Sequence, residues 1–302
     1  MKKVNEMSYL KKVKDKGLIT VNQKFVLTGL QYECITGSAA YGVSNTNSDL
    51  DIFGFCIPPK DMIFPKGEIQ GFGTQIQRFN QFQCHHVIDK EEGKEYDFTI
   101  YSIIKYFQLC MEANPNFTDS LFSPRNLITH STIISEMVRE NRKLFLSKQC
   151  FKKMKSYAFS QMHKMKSKNP IPGSKRYEDV QVNGVDTKFQ YHLVRLLDQA
   201  EQILLEGDLD LQRSKEKLKA IRRGEWKPDD IDKYFIDREQ SLEKVYLESK
   251  LQQKPDEEKI KQLLLNCLEE YWGDLGDCIQ LPNSTELIIN ELEEIVNKYR
   301  AR

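Results

Sequence analysis

The sequence predicts an α+β protein, and three observations carry that expectation. Residues 18–125 break into short apolar stretches punctuated by Gly, Pro, Asn and Asp, the signature of strands and turns. Beyond Pro124 the apolar residues recur at helical spacing almost throughout. No apolar run approaches the ~18 residues of a membrane helix, and 302 residues are ample for a sizeable core. Strands followed by helices in sequence blocks, rather than alternating with them, define the class. Two domains are expected, 1–125 and 126–302.

In order, Val4 to about Lys16 reads as a short polar amphipathic helix. The strand candidates are Glu33–Thr36, Leu50–Ile57, Ile76–Phe79, Gln83–Ile88 and Glu95–Thr99. A helix from about Ser102 to Ala113 carries Ile103, Ile104, Phe107, Leu109, Cys110 and Met111 on its apolar face, and Asn114-Pro115 stops it. The later helix candidates are Ser131–Phe145, Lys148–Lys166, Thr187–Glu206, Leu211–Arg222, Ile231–Gln252, Glu257–Trp272 and Thr285–Lys298. Between them, Asn169-Pro-Ile-Pro-Gly173 and the Gly184 region read as an exposed loop.

Lys and Arg number 45 against 44 Asp and Glu, which excludes a globally basic nucleic-acid coat. Charge is uneven along the helical part, however. Residues 139–168 hold ten Lys/Arg against the single acid Glu140, and residues 254–294 hold three against eleven acids. The acidic block reads as a solvated face. The basic block is dense enough to call for an anionic compensator. The start of the chain has no apolar h-region, and the seven cysteines form no C-x-x-C pair. A reduced, cytoplasmic protein without a membrane partner is expected. Cys84-His85-His86 is the one metal-like cluster. Cys84 and His86 could share a strand face, but nothing else offers partners at zinc spacing, so surface and core roles are preferred.

The chemistry concentrates between Ile35 and Gly54. Asp49 and Asp51 stand at i and i+2 among Leu50, Ile52 and Phe53, so on a strand they share a face with Cα atoms ~6.6 Å apart. Two carboxylates that close repel unless a divalent cation lies between them. Hard oxygen ligands in small number suit Mg²⁺, which recruits substrate phosphates to complete its shell. Gly37-Ser38 ends a strand ten residues upstream of this pair. Glycine lets backbone N–H groups approach a phosphate, and Ser38 adds a hydroxyl donor. Asp97, between Tyr96 and Phe98, supplies a third acid in a later strand. In the helical half Lys188, His192, Arg195 and Gln199 recur at i, i+4, i+7 and i+11, a polar stripe beside an apolar one. On its own this stripe is a solvated edge or the wall of a phosphate cleft. The helix Phe151–Lys166, with Lys164, is a second candidate wall.

The order apolar-Gly-Ser, Asp-apolar-Asp, then a lone acid in a later strand resembles the DNA polymerase β-type nucleotidyltransferase superfamily. Gly37-Ser-x-x-Tyr-Gly42, Ser48-Asp-Leu-Asp51-x-x-Gly54, Tyr101-Ser102, Ala113-Asn-Pro-Asn116 and Leu121-Phe-Ser123 are similar to a bacterial and phage family of predicted nucleotidyltransferases. So are Tyr191-His192-Leu-x-Arg195-Leu-Leu and Ile221-Arg-x-Gly224-Glu-Trp226. The likeness spans roughly residues 30–230.

The resemblance implies a polymerase-β-like N-terminal domain with a mixed or antiparallel sheet, and an all-helical domain forming the other wall of a cleft. It implies that Gly37 and Ser38 hold a nucleoside triphosphate and that Asp49, Asp51 and Asp97 bind two Mg²⁺ ions, or Mn²⁺ in their place. Asp97 would also help remove the proton of the attacking hydroxyl. Lys164, His192 and Arg195 become candidates for holding the nucleotide. The expected activity is transfer of a nucleoside monophosphate to a hydroxyl with release of pyrophosphate. The basic segment 139–168 inclines the acceptor towards RNA, such as a tRNA 3′ end; a protein side chain or small molecule is the alternative. A regulatory, antitoxin- or immunity-like module that has lost turnover is a further alternative, against which the retained Gly-Ser and three acids argue. A D-x-D glycosyltransferase would need alternating βα units, which are not seen. The sequence does not fix the NTP base or the oligomeric state.

Overall fold

The structure, a computed structural model, describes residues 8–44, 48–63, 79–167 and 170–273, with 275 and 292 besides. It is α+β. Five strands, β1 (Leu30–Ile35), β2 (Leu50–Cys56), β3 (Gln81–Asp89), β4 (Lys94–Ser102) and β5 (Ile128–Ser131), form one mixed sheet in the order β3-β4-β2-β1-β5. β2 and β4 run parallel, and every other pair is antiparallel.

Alternation along β2 and β4, and a bulge between Leu30 and Tyr32 in β1, send the sheet's apolar residues to two different cores. On one face Leu30, Ile52, Cys56, Phe98 and Ile100 pack with Leu10 and Val13 of α1 (Tyr9–Asp15) and Val26 of α2 (Phe25–Thr28). The carboxylate of Glu33 fixes the start of α1. It is fully buried and accepts hydrogen bonds from Ser8 Oγ (2.7 Å), the Tyr9 N–H (2.6 Å), the Leu10 N–H (3.1 Å) and Thr129 Oγ1 (2.6 Å). On the other face Tyr32, Cys34, Phe55 and Tyr101 enter a cluster that continues into the helices as far as Leu268. One apolar core therefore spans the expected 125/126 boundary, and β5 joins the sheet from beyond it.

The remaining helices follow in order. α3 (Gly37–Ala40) and α4 (Lys60–Ile63) are single turns within the sheet region. α5 (Ile103–Met111), α6 (Pro115–Leu121) and α7 (Ile133–Glu140) lie close after it. α8 (Lys148–Ser167), α9 (Lys175–Asn183), α10 (Thr187–Glu206), α11 (Lys215–Arg222), α12 (Pro228–Glu248) and α13 (Glu257–Trp272) make the helical part. α10 is its axis. Fifteen of its twenty residues are buried, Asp186 caps its N-terminus and left-handed Gly207 ends it. It packs against α8, α11 and α12.

The structure corrects several expected elements. Pro115 does end α5, but it also opens α6 at the position where a missing N–H costs nothing, with Asn114 as cap. The expected helix Ser131–Phe145 is strand β5, then α7, then a 3₁₀ turn over Arg142–Phe145. The helix expected from Leu211 begins at Lys215. The expected loop before α10 contains α9, capped by Ser174 and closed by Gly184. Residues 76–78, the helix Thr285–Lys298, Cys278 and residues 4–7 of the first helix lie outside the described residues. The six described cysteines are all free, and all but Cys84 are buried. No described helix is long and apolar enough to cross a membrane.

Candidate active site

β1 runs out at Ile35, and the chain turns against the start of β2. Thr36 donates its backbone N–H (2.8 Å) and its hydroxyl (3.2 Å) to the Asp51 carbonyl. Gly37 follows at φ +63°, and a Cβ there would lie 2.2 Å from Asp51 Oδ2. Only glycine both adopts this backbone and lets the carboxylate lie against it. Ser38 is half-buried in the single turn α3. The turn closes at Gly42 (φ +69°), where a Cβ would meet the Lys215 side chain at 2.9 Å. Thus the Gly37–Gly42 segment touches an acid of the sheet at one end and a cation of α11 at the other.

Asp51 and Asp97 are register partners on the parallel strands β2 and β4, so their side chains leave the same face of strands ~4.8 Å apart. Asp49 immediately precedes β2 on the same side and is more exposed. Burial raises the Asp51 carboxyl above its ordinary range; Lys188 opposes the rise, and the neighbouring Asp97 and Asp49 add to it. Three carboxylates converging in a partly desolvated place are a donor set short of positive charge. Their hard oxygens fit a divalent cation of the Mg²⁺ kind, and polymerase β-like nucleotidyltransferases use divalent metals.

Positive charge faces this trio from α9 and α10. Lys175 Nζ lies 3.6 Å from Asp49 Oδ1. Lys188 is the cation acting most strongly on Asp51. The His192 imidazole is pushed well below the usual histidine range, first by burial and then by Arg195, Lys188, Arg176 and Arg222 around it. Burial keeps this ring neutral, and of the four cations around it Arg195 and Arg176 are already paired with Asp119 and Asp186, which leaves Lys188 and Arg222 to supply positive charge. Carboxylates on one wall and cations on the other are what a metal-bound polyphosphate requires.

The nucleotide-holding candidates divide. His192 sits among these cations. Arg195 does not line an open wall: it is buried, it lies over the Tyr41 ring at 4.3 Å, and its guanidinium donates to Asp119 Oδ2 (2.7 Å) and Gln199 Oε1 (2.8 Å). Gln199 and Tyr41 complete the arrangement, donating to Asp119 at 3.0 and 2.5 Å. The two C-terminal members of the expected polar stripe are therefore neither solvated edge nor free phosphate ligands. They lock α10 to α6, the helix between the Ala113-Asn-Pro-Asn116 and Leu121-Phe-Ser123 motifs. Lys164 is exposed on α8, and no contact among the described residues joins it to the carboxylates.

The basic block has found much of its compensator inside the chain. Lys155 pairs with Glu239 (3.0 Å) and Glu243 (2.6 Å), Lys166 with Asp232 (2.9 Å), and Lys143 with Asp208 (2.6 Å). Arg139 is buried and donates to the Tyr32 hydroxyl and to the carbonyls of Leu121 and Ser123. Lys152 and Lys153 remain exposed.

Lys175 and Arg176 are not legible in the sequence because α9 buries none of its residues; Lys215 and Arg222 stand in an expected helix, Arg222 within the Ile221-Arg-x-Gly224 motif, but no local spacing ties either to the acids. The sequence also leaves His86 without partners. A bulge between Cys84 and Val87 turns His86 towards β4. There its N–H donates to Asp97 Oδ1 (2.7 Å), and its Nδ1 lies 2.7 Å from Glu95 Oε1. His85 Nδ1 is 3.7 Å from Asp97 Oδ1.

No curated protein matches the chain. A family model does, over residues 10–266, which takes in the sheet, the carboxylate trio and the cationic helices. A match over most of the chain places it with the polymerase β-type nucleotidyltransferases, and the chain belongs to the RNA repair pathway DNA polymerase beta family, RlaP.

Proposed function

We propose that the protein transfers a nucleoside monophosphate from an NTP to a hydroxyl at an RNA end, with release of pyrophosphate. The observation that carries this is the carboxylate trio Asp49, Asp51 and Asp97 facing Lys175, Lys188 and the charged surroundings of His192. In this reading Asp49, Asp51 and Asp97 hold Mg²⁺ (two ions, with Mn²⁺ as substitute). The bound ions would supply Lewis-acid activation and charge neutralisation. Gly37 and Ser38 receive the triphosphate, the first by leaving its backbone open and the second with a hydroxyl donor. Lys188, Lys175 and Lys215 balance its negative charge from the helical side. Asp97 accepts the proton of the attacking hydroxyl. The hydroxyl oxygen forms a bond to the α-phosphorus, and the bond to the bridging oxygen of the β-phosphate breaks, releasing pyrophosphate. Residues before β5 form one wall of the cleft and α8–α13 the other.

The family's description as part of an RNA repair pathway supports RNA as the acceptor. The internal pairing of Lys143, Lys155 and Lys166 speaks for the second reading, a protein or small-molecule acceptor, since those charges are not free for phosphates. The three retained acids speak against a module that has lost turnover. The test supplies each NTP, labelled in turn at the α- and γ-phosphate, with Mg²⁺ and total cellular RNA and protein. Label from the α-position alone, in material sensitive to RNase and resistant to protease, supports the proposal. Label in protease-sensitive material moves the acceptor to protein. Transfer of γ-label contradicts the reaction itself.

A further inference from the structure

We propose that His86, Glu95 and Asp97 form a binding site for a zinc-class transition-metal ion, and that occupancy of this site inhibits transfer by engaging Asp97. The metal site stands on its own geometry; the inhibition rests on the role proposed above for Asp97.

Glu95 and Asp97 stand at i and i+2 of β4 and share a face. The bulge in β3 brings the His86 ring to them, and the ligand atoms of all three residues lie within 4.8 Å of one another. Tetrahedral zinc, with bonds of ~2.0–2.2 Å, needs ligand atoms about 3.3–3.6 Å apart. Small side-chain rotations therefore bring the set to that spacing. His86 Nδ1 and Glu95 Oε1, now 2.7 Å apart, would open slightly. His85 Nδ1 lies 3.7 Å from Asp97 Oδ1 but outside the set of three, whose fourth position is left to water.

The donor types choose the ion. Asp49 and Asp51 offer oxygen alone and suit Mg²⁺. The second set adds imidazole nitrogen, which favours zinc and its neighbours over Mg²⁺. Its two carboxylates cancel the dication's charge. The His86 side chain is 80% exposed, so an ion can reach the site from solvent. Asp97 belongs to both sets, and a carboxylate held by zinc at the β3 side is less available to the ions beside Asp51.

The test titrates Zn²⁺ alone into the full chain in excess Mg²⁺ by calorimetry, with Co²⁺ absorption to report the ligand geometry. His86→Asn and Glu95→Gln serve as variants. Asn tolerates the left-handed backbone at residue 86 (φ +57°) and keeps the N–H that Asp97 accepts. The expected result is one Zn²⁺ per wild-type chain, with affinity lowered by at least about tenfold in each variant. Zn²⁺ is then expected to inhibit wild-type transfer at concentrations that spare both variants. No stoichiometric uptake by the wild type, or uptake unchanged in both variants, overturns the site. Equal inhibition of wild type and variants overturns the inhibitory role. Uptake is read without turnover, so failure of the transfer reaction leaves this measurement decisive.

Discussion

Asp51 and Asp97 face each other across the one parallel strand pair of the sheet. The pairing carries two acids from distant parts of the sequence to the same face, while Gly37 closes the space behind Asp51 to within a Cβ's width. Burial makes the Asp51 charge costly, and Asp97 beside it adds repulsion that the strand register builds into the sheet.

Replacing Asp51 or Asp97 by Asn is therefore expected to reduce transfer roughly a thousandfold, the ~4 kcal/mol that loss of a metal-binding charge implies. In the metal-free protein Asp51→Asn should not destabilise. The folded pKa of Asp51 lies above its ordinary value, so the native state holds the extra proton. The carboxylate costs stability once pH rises past the folded value. Thermal melts without metal at neutral pH should show Asp51→Asn at least as stable as wild type, and added Mg²⁺ should raise the melting temperature of wild type alone. A large loss in the metal-free variant would contradict the repulsion.

Gly37→Ala should inactivate almost as fully as Asp51→Asn. The methyl group would displace the Asp51 carboxylate, and the left-handed backbone adds roughly 1–2 kcal/mol of strain. Ser38→Ala should cost less, one charge-assisted hydrogen bond worth about 1.5–3 kcal/mol. Transfer rates that rank these two variants the other way would reassign Ser38.

The Arg195–Asp119 pair, buried on both sides at 2.7 Å, should behave as a structural clamp. Removing either partner is expected to destabilise by about 3–5 kcal/mol, because the other charge is left buried and alone. Arg195→Met combined with Asp119→Leu should cost clearly less than the sum of the single changes in urea unfolding. Strict additivity would mean the pair is not coupled.

His192 gives the fold a pH dependence of definite sign. Its folded pKa lies well below 6.5, so below pH 6.5 the unfolded chain binds a proton that the native chain refuses. Its contribution is intact above 6.5 and is lost as pH falls, by up to ~1.4 kcal/mol per pH unit for one proton. His192→Asn should flatten the stability profile between pH 6.5 and 5 in urea titrations. An unchanged slope in His192→Asn would mean that the fold does not hold this ring neutral.

The parts legible in the sequence were those written in local spacing. Asp49 and Asp51 declare themselves at i and i+2, and the long amphipathic stripe of α10 is plain. α9 was not legible because none of its residues is buried; without an apolar stripe, only Ser174 and Gly184 mark its ends. β5 is four residues long and takes its identity from pairing with β1. The basic block looked unbalanced because its acids stand on α12, far along the chain. Arg195 looked like a phosphate ligand for the same reason, since its partner Asp119 lies in a helix that the Asn114-Pro115 stop had concealed. Long-range charge pairing leaves no periodic trace.

The most direct test of the cleft is Mg²⁺-dependent NTP binding, followed by calorimetry with each of the four NTPs. Wild type is expected to bind at least one of them only when Mg²⁺ is present. Asp51→Asn should abolish that binding, and Lys188→Gln and Lys175→Gln should each weaken it about tenfold, the ~1.4 kcal/mol of one charge contact. Replacing Lys152, Lys153 and Lys155 together by Gln should leave it unchanged. Binding that survives Asp51→Asn and Lys188→Gln but is lost in the triple variant would contradict the account and move the nucleotide to α8.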